Sequence, residues 1–401
     1  MLSASRLAVV LALFATGCTA DRAAMRPEAP PAAVSPAVVS PAASAAVDSL
    51  RFPGETHLRN VRQLTFGGNN AEAYWSPNGR QLVFQSDWAA INGQGCDQQF
   101  VMNVDGSPLP GGLSAGPARG GSAAGRYLLA STGTGRTTCG YFLPATGPQA
   151  GRVLYASTHG GGRACPPSQA RASGRYVWDI FPTFDIYTAT PDGRDVRPLV
   201  EGPGYDAEGT VSPDGRFMVF TSTRSGDLEL WRLDIANGAL LQLTDTPGYD
   251  GGAFFSPDSR RIVWRASRPE GDDLAAYQEL LGRDMIEPGQ LNLFVANADG
   301  TEARQITDMP GANWAPYWHP NGRQILFATN QRSLAAGSGR TFDLYLVGTD
   351  GTGLERVSFS DTFDAFPMFS PDGRQIVFAS NRRADRQPSR DTNIFVADWV
   401  E

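Results

Sequence analysis

The sequence has 401 residues, of which 41% are hydrophobic and 19% charged, and it contains 45 glycines and 29 prolines. This composition suits a turn-rich, all-β protein larger than one small sandwich. The net charge at pH 7 is −7, lysine is absent and no basic block occurs, so a nucleic-acid-binding surface is not expected.

The first 17 residues have the pattern of an export signal. Arg6 precedes the apolar run Leu7–Ala15, which is too short to span a bilayer as a helix. The ending Thr16-Gly17-Cys18 resembles a bacterial lipoprotein signal, which implies cleavage before Cys18 and a lipid on that residue. Thr19, rather than aspartate, follows, and in such lipoproteins this implies the outer membrane. Ordinary secretion, in which Cys18 is discarded with the signal peptide, is the alternative.

Residues 18–51 are predicted to be a tether. They are rich in alanine and proline and poor in large apolar side chains, so they cannot form a core. As a semi-extended chain, the 32 residues 19–50 reach on the order of 90 Å at ~3 Å per residue. The folded domain is therefore expected over residues 52–401.

A five-residue phrase of the type Ser-Pro-Asp-Gly-Arg recurs along this domain. The copies begin at Ser76, Ser212, Ser256, His319 and Ser370. Proline sets the turn, Asn or Asp and Gly tolerate its backbone angles, and a β-rich run such as Gln81–Ser86 follows each copy. Recurring hairpins of this kind predict a repeat architecture.

Each copy continues into further strands. A second alternating run occurs at 99–106, 185–193, 229–234, 292–300, 343–351 and 393–398. A short third run occurs at 197–200, 241–244, 304–307 and 355–358. The hairpin at each phrase supplies strands A and B, the second alternating run is strand C and the short third run is strand D. Four antiparallel strands therefore make up each repeat, which is typical of a propeller blade.

The number of blades depends on one degenerate copy. Cys139–Pro144 followed by Gly151–Ser157 fits strands A and B with a longer turn, which brings the count to six. The last blade lacks a strand D, whereas Asn60–Thr65 is an orphan strand of that type. We therefore expect an all-β, six-bladed propeller in which the N-terminal strand closes the last blade and removes exposed sheet edges.

These phrases resemble the TolB-type (PD40, WD40-like) repeats of bacterial periplasmic propellers, over residues 58–399. The resemblance implies a six-bladed propeller on the periplasmic side of the envelope. TolB proteins carry an α/β domain where this sequence has its tether, and they dock on a peptidoglycan-associated lipoprotein. An envelope protein or peptide is therefore the partner that the resemblance implies.

The two faces of the propeller differ in their connections. The A–B and C–D turns share one face, the turn face, and the D–A and B–C loops share the other, the loop face. The long B–C segments are 87–98, 158–184, 267–291, 330–342 and 381–392, with a short helix expected at 272–282. Long irregular loops on a rigid scaffold commonly carry binding residues, so the loop face is predicted to bind.

Three sets of equivalent positions are predicted to surround the channel mouth on the loop face. Six residues before each turn lie Asn70, Thr137, Asp206, Asp250, Asn313 and Asp364. Two residues further on lie Glu72, Cys139, Glu208, Gly252, Ala315 and Phe366. After strand B come Trp88, His159, Arg224, Arg268, Gln331 and Arg382. An acidic ring with a collar of Arg, His and Trp suits a peptide, a cationic group or a metal. The alternative is that these side chains bond loop backbone and close the blades.

Three cysteines, Cys96, Cys139 and Cys165, map to the same face. In an oxidising compartment one pair is expected to form a disulfide, and Cys139 with either neighbour is the favoured pairing. A metal site built from these thiols and His159 is the alternative, although no Cys-x-x-Cys spacing supports it. No metal or cofactor is therefore predicted, apart from a cation at the channel mouth.

No catalytic residue is predicted. The Gly-x-Ser-x-Gly string at 112–116 lies in a Gly/Ala/Pro-rich turn and lacks the flanking strand and helix of a nucleophile elbow. The leading hypothesis is a monomeric, lipid-anchored binding propeller whose channel mouth engages an envelope protein or peptide. The alternative is a small-ligand or glycan enzyme that uses Asp206, Glu208, Asp250 and His159 for acid–base chemistry.

Overall fold

A computed structural model describes residues 48–113, 125–169 and 176–401. Over these ranges the chain forms six four-stranded antiparallel sheets, arranged as propeller blades, and one two-stranded sheet. This arrangement confirms the predicted fold class. Cys18, the signal segment, nearly all of the tether and most of the string at 112–116 lie outside the described residues.

The first strand of the chain, β1 (Leu58–Gln63), belongs to blade 6. Blade 1 consists of β2 (Asn70–Trp75), β3 (Gln81–Ser86), β4 (Gln98–Asn103) and β5 (Leu128–Leu129). Blade 2 consists of β6 (Thr137–Phe142), β7 (Val153–Ser157), and, after the additional strand β8 (Trp178–Asp179), β9 (Asp185–Ala189) and β10 (Arg197–Val200).

Blade 3 consists of β11 (Asp206–Val211), β12 (Phe217–Ser222), β13 (Glu229–Asp234) and β14 (Leu240–Gln242). Blade 4 consists of β15 (Asp250–Phe255), β16 (Arg261–Ala266), and, after the additional strand β17 (Met285–Ile286), β18 (Asn292–Asn297) and β19 (Arg304–Gln305). Blade 5 consists of β20 (Asn313–Trp318), β21 (Gln324–Thr329), β22 (Asp343–Gly348) and β23 (Glu355–Arg356). Blade 6 consists of β24 (Asp364–Phe369), β25 (Gln375–Ser380), β26 (Asn393–Trp399) and β1.

The recurring phrase builds the A–B turn through its own side chains. In blade 3, Ser212 Oγ donates to Asp214 Oδ1 at 2.6 Å, and the same oxygen accepts the backbone N–H of Arg216 at 3.1 Å. Gly215 occupies the left-handed region with φ of 73°. Because these contacts are local, the five strands B that follow a well-formed phrase have the predicted bounds.

Ring closure occurs as predicted. Strand β1 pairs antiparallel with β26, with Leu58 opposite Trp399. Outside the ladder, His57 stacks on Trp399 with ring centroids 4.8 Å apart. The strand begins two residues earlier than the sequence indicates, and it completes the fourth position of blade 6.

Every strand A carries a β-bulge. The register of A against B shifts after the second residue in all six blades. The third residues all have φ between 48° and 60°, and they are Glu72, Cys139, Glu208, Gly252, Ala315 and Phe366. A bulge residue leaves the ladder and its side chain is redirected. Here all six line the central channel.

The B–C segments of blades 2 and 4 meet over the loop face. Strands β8 and β17 pair antiparallel, and Trp178 of β8 stacks on Trp314 at 5.5 Å between centroids. Helix α1 (Gly271–Leu281) precedes β17, and Tyr277 on this helix donates a hydrogen bond to Asp227. We call the β8–β17 pair the cap sheet. The helix lies within one residue of the predicted bounds and supports the cap sheet from the rim.

A second helix, α2 (Gln331–Ala335), lies in the B–C segment of blade 5. No helix in the described ranges is long and apolar enough to cross a membrane.

Candidate functional site

The first residue of each strand A is buried and does not line the channel, apart from Thr137 at the loop-face opening. Arg224 binds both carboxylate oxygens of Asp206 at 2.8 and 2.9 Å. Arg268 binds both oxygens of Asp250, each at 2.8 Å. In blade 6, Arg382 binds Asp364 at 3.0 Å. Each arginine after strand B is therefore bound to the aspartate of its own blade, so these charges neutralise each other within blades 3, 4 and 6, and binding by these residues stays a prediction.

The asparagines at this position join neighbouring blades. Asn70 Nδ2 donates to the carbonyl oxygens of Gly67 and Thr392, at 2.7 and 3.1 Å. Asn313 Nδ2 donates to the Leu291 carbonyl oxygen at 2.8 Å. These contacts correspond to the alternative considered above, in which polar side chains bond loop backbone and close the blades.

His159 is also held away from the channel. One ring nitrogen lies 2.8 Å from Ser157 Oγ, and the ring packs on Tyr187 with centroids 4.1 Å apart. Burial lowers the pKa of His159, so the neutral ring is favoured.

The disulfide joins Cys96 to Cys165, with the Cα atoms 5.9 Å apart. The favoured pairing with Cys139 is therefore wrong, and Cys139 has a free thiol. Its bulge position directs the side chain into the channel, whereas the other two cysteines lie in B–C segments. The alternative metal site that needs all three thiols cannot form, because two of the sulfurs are bonded to each other. Within the described ranges, no group of three or more His, Cys, Asp and Glu residues is arranged to hold a metal ion.

The six bulge residues form one layer of the channel, which we call the bulge layer. This layer holds the buried charges of the channel. Glu208 accepts hydrogen bonds from Thr221 Oγ1 at 2.7 Å and from the Tyr249 hydroxyl at 2.8 Å. Arg265, from strand B of blade 4, forms an ion pair with the same carboxylate. A Cβ at Gly252 would collide with the Arg265 guanidinium, so the absence of a side chain there admits the arginine to the channel. Glu208 is thus fully partnered.

Glu72 has no such complement of partners. Its carboxylate contacts the Cys139 thiol, and its Oε2 is buried without a hydrogen-bond partner. Burial raises the pKa of Glu72 to about 7, against the opposing effects of the thiol and of Arg265. Burial also raises the pKa of the Cys139 thiol, with the Glu72 charge as a further cause. A proton on Glu72 is therefore retained close to neutral pH.

Above this layer lies a cavity of about 700 Å³ that opens on the loop face, which we call the loop-face pocket. Among the described residues that line it, the carboxylates are Glu72, Asp87, Asp97, Asp179 and Glu208, and the guanidiniums are Arg136 and Arg265. Its aromatic residues are Tyr176, Trp178, Phe181, Phe184, Tyr205, Tyr249, Trp314 and Phe366. Tyr176 is 68% exposed, and its hydroxyl accepts a hydrogen bond from Trp178 Nε1 at 3.2 Å.

The pocket ends at the bulge residues, and a layer of aromatic rings lies beyond them in the channel. These rings come from the fifth position of strand A, two residues before the turn phrase. The Tyr74 ring lies 5.4 Å from Tyr141 and 5.8 Å from Phe254, between centroids. Phe254 in turn lies 5.2 Å from Tyr317. Sequence reasoning missed this layer, although aligning the repeats shows a large apolar residue at that position in five of the six blades.

Sequence reasoning also missed Trp178 and Arg265. Both lie far along the chain from the groups they contact, and no repeat position marks them. Arg265 packs over the Trp178 ring at 5.3 Å and so joins the cap sheet to the bulge layer. An aromatic-rich stretch inside a long B–C segment was the available signal for Trp178.

We expect Glu72→Gln to remove a pH dependence from folding stability. The folded protein keeps a proton on Glu72 up to a pKa of about 7, whereas an unfolded glutamate loses it near the ordinary pKa of 4.5. The contribution of protonated Glu72 to the free energy of unfolding is therefore fully present below pH 4.5, and it is lost as the pH rises towards 7. The free energy of unfolding of the variant should equal that of wild type at pH 4.5. At pH 8 it should be higher by about 2 to 3 kcal/mol.

Urea unfolding at pH 4.5, 6 and 8 measures this difference, and the exposed helix variant Glu279→Gln is the control. If the difference between Glu72→Gln and wild type were constant across pH, Glu72 would not hold the proton.

No protein-family model matches the chain. A TolB homologue from Chlorobium luteolum is 28% identical over 220 residues, which cover 53% of this chain and 43% of that protein. The chain thus spans less than half of the length of this curated relative. A solved structure from Agrobacterium tumefaciens, provisionally named TolB, has a TM-score of 0.48 at 16% identity and covers 83% of this chain and 91% of that one. TolB from Acinetobacter baumannii has a TM-score of 0.49 at 16% identity, and the match covers 76% of this chain and 57% of that one. The turn phrases, the six four-stranded blades and the N-terminal ring closure, together with the TolB homologue, identify this chain as a TolB-like six-bladed β-propeller.

Proposed function

We propose that this propeller is a binding protein of the cell envelope that receives a peptide segment of a partner protein in its loop-face pocket. The observation that carries the proposal is the pocket itself, about 700 Å³ in volume, with aromatic walls and Tyr176 exposed at its opening. Aromatic side chains that stand exposed beside a cavity are typical binding hot spots.

The charges of the pocket indicate the kind of peptide. Among the described residues that line the pocket, five carboxylates face two guanidiniums, and both guanidiniums are paired, Arg136 with Asp97 at 3.2 Å and Arg265 with Glu208. A peptide with a lysine or arginine beside an apolar residue therefore complements the pocket better than an acidic one. Because the charges near the opening are solvated, binding should weaken at high salt.

A location on the periplasmic side, with a lipid on Cys18 and the outer membrane as its site, is part of the proposal. The signal-like N-terminus and the TolB homologue support it. The Cys96–Cys165 disulfide supports it independently, because such bonds persist in oxidising compartments.

The glycan-enzyme alternative has little support from the geometry. Asp206 and Asp250 are bound by arginines, and His159 is held by Ser157 and Tyr187. Glu208 is saturated with hydrogen bonds. General acid–base chemistry requires a group that can exchange its proton with a substrate, and none of these four is placed to do so.

We expect Tyr176→Ala to lower capture of the partner at least 10-fold in affinity purification from detergent-solubilised envelope, because truncating an aromatic hot spot costs about 2 kcal/mol. The full chain serves as bait, and captured proteins are quantified by mass spectrometry. Since Tyr176 is exposed, the substitution should leave the thermal unfolding midpoint unchanged.

Leu354→Ala is the matched control, because Leu354 is an exposed apolar residue on the turn face, 46% accessible, and lies outside the pocket. A protein captured by wild type and Leu354→Ala but lost from Tyr176→Ala identifies the partner. Equal capture by both variants would contradict the assignment of the site.

A further inference from the structure

The turn face carries a second cavity, on the other side of the aromatic layer. It has a volume of about 510 Å³, and we call it the turn-face funnel. Its floor is the fifth position of strand A, including Tyr74, Tyr141, Phe254 and Tyr317, and its rim is built from the proline of each A–B turn. The sixfold repeat therefore places flat, rigid surfaces around one central pit.

None of the described residues that line the funnel is charged. Burying a charged ligand there would remove its hydration without an opposite charge to replace it, which is strongly unfavourable. Ring faces and proline rings instead favour contact with an apolar surface. The chemistry of the walls therefore selects an uncharged ligand.

The walls are rigid because their polar groups are already bonded. Trp75 Nε1 donates to the Met368 carbonyl oxygen at 3.2 Å, and Trp318 Nε1 donates to the Phe254 carbonyl oxygen at 3.0 Å. Both indole rings are thereby anchored to the neighbouring blade. A preformed cavity binds a ligand without the cost of ordering its walls.

The floor offers polar groups that are not engaged. No hydrogen bond within the described ranges involves the hydroxyls of Tyr141 and Tyr317, although both residues line the funnel. Burial raises the pKa of Tyr317 to about 12, and burial together with Tyr317 raises that of Tyr141. Both hydroxyls therefore stay protonated and can donate to a ligand.

Blade 2 makes the rim asymmetric. Its A–B turn is longer than the others, and Ala145 and Thr146 line the funnel. A Cβ at Gly215 of blade 3 would lie 2.6 Å from the Thr146 carbonyl oxygen, so the longer turn rests against its neighbour. Ala145 is exposed, which makes it a position where the opening can be narrowed without disturbing the core.

We propose that the turn-face funnel is a second binding site, for an uncharged small molecule that carries a flat ring system and a hydrogen-bond acceptor. The volume is that of a typical small-molecule site, the uncharged walls set the polarity, and the two free phenol hydroxyls supply the donors. The aromatic layer separates this site from the loop-face pocket, so the proposal does not depend on the function proposed for that pocket.

The test is a fluorescence titration of the full chain, carrying Cys18→Ser so that no lipid or detergent competes, with the uncharged dye Nile red. We expect saturable binding of one dye per chain. Ala145→Trp should weaken binding at least 10-fold because it narrows the opening, and Tyr141→Phe with Tyr317→Phe should weaken it about 5-fold through loss of a hydrogen bond. The anionic dye ANS should not displace Nile red.

Ala236→Trp, at an exposed position in the C–D turn of blade 3 on the same face, is the matched control and should bind as wild type does. Tyr176→Ala should also bind as wild type does, which distinguishes this site from the loop-face pocket. The proposal is overturned by absence of saturable binding, by equal weakening in the two tryptophan variants, or by displacement of Nile red by ANS.

Discussion

Replacing Arg382 with methionine is expected to lower the free energy of unfolding by about 3 to 5 kcal/mol, the usual cost of removing one partner from a buried ion pair. The Arg382 side chain and its partners Glu55 and Asp364 are all fully buried. Arg382 Nη2 binds Glu55 Oε1 and Asp364 Oδ2, each at 3.0 Å. Without the guanidinium, two carboxylates would remain in the interior with no cation.

The triad of Arg382, Glu55 and Asp364 lies where the propeller ring closes, so its loss should weaken that closure. Glu55 also accepts the backbone N–H groups of Phe52 and Phe359, at 2.7 and 3.1 Å. The triad therefore fastens the segment before β1 to the last two blades. We expect the variant to be cleaved by protease near residues 48–57 at concentrations that leave wild type intact, because β1 closes the ring.

Arg383→Met is the matched control for urea unfolding. Arg383 is adjacent in sequence and paired with Asp385, but both side chains are 50% exposed, so its loss should leave the urea midpoint close to that of wild type. Adding Glu55→Gln and Asp364→Asn to Arg382→Met should recover part of the stability, since the uncompensated charges are removed. No recovery would mean that lost packing, and not buried charge, causes the effect.

Removing the disulfide with Cys96→Ser and Cys165→Ser is expected to cost about 4 kcal/mol in the chain-entropy model. The bond closes a long loop, with 69 residues of sequence separation, that contains strands of blades 1 and 2. Opening it gives the unfolded chain more conformations and so favours unfolding. Reductant should bring wild type to the same stability and leave the double variant unchanged.

Cys139→Ser is the control, because that thiol takes no part in the disulfide. Its stability should remain sensitive to reductant, as in wild type. The bond also fixes Cys165, which belongs to the same B–C segment as Tyr176, so the double variant should capture less of the envelope partner. A reductant effect that persists in the double variant would mean that another bond is being reduced.

Much of the fold could be predicted because its signals are local. The turn phrase specifies a hairpin with hydrogen bonds between residues such as Ser212 and Asp214, two positions apart. The predicted strands B of five blades and the ring closure by β1 followed from repetition of that signal. Less could be predicted for the site, where Asp250 and Glu208 were both assigned to the channel mouth, whereas only Glu208 lines the channel.

The difference arises from the bulge. A strand side chain two positions further on normally points to the same side. In strand A the third residue has positive φ and leaves the ladder, so Glu208 faces the channel while Asp206 is buried against Arg224. Non-glycine residues such as Glu72 and Phe366 adopt this conformation without a sequence signature, because blade packing imposes it.

The sequence by itself determined the blades, their number, their turns and the closing strand, because each depends on backbone preferences of a few adjacent residues repeated along the chain. Only the tertiary structure decided which charges pair, which cysteines bond and where the channel closes. Those outcomes depend on contacts between distant segments, such as Trp178 with Trp314 and Arg382 with Glu55. The extent of burial then determines how much each of these contacts stabilises the fold. Burial is a property of the assembled ring rather than of any one segment.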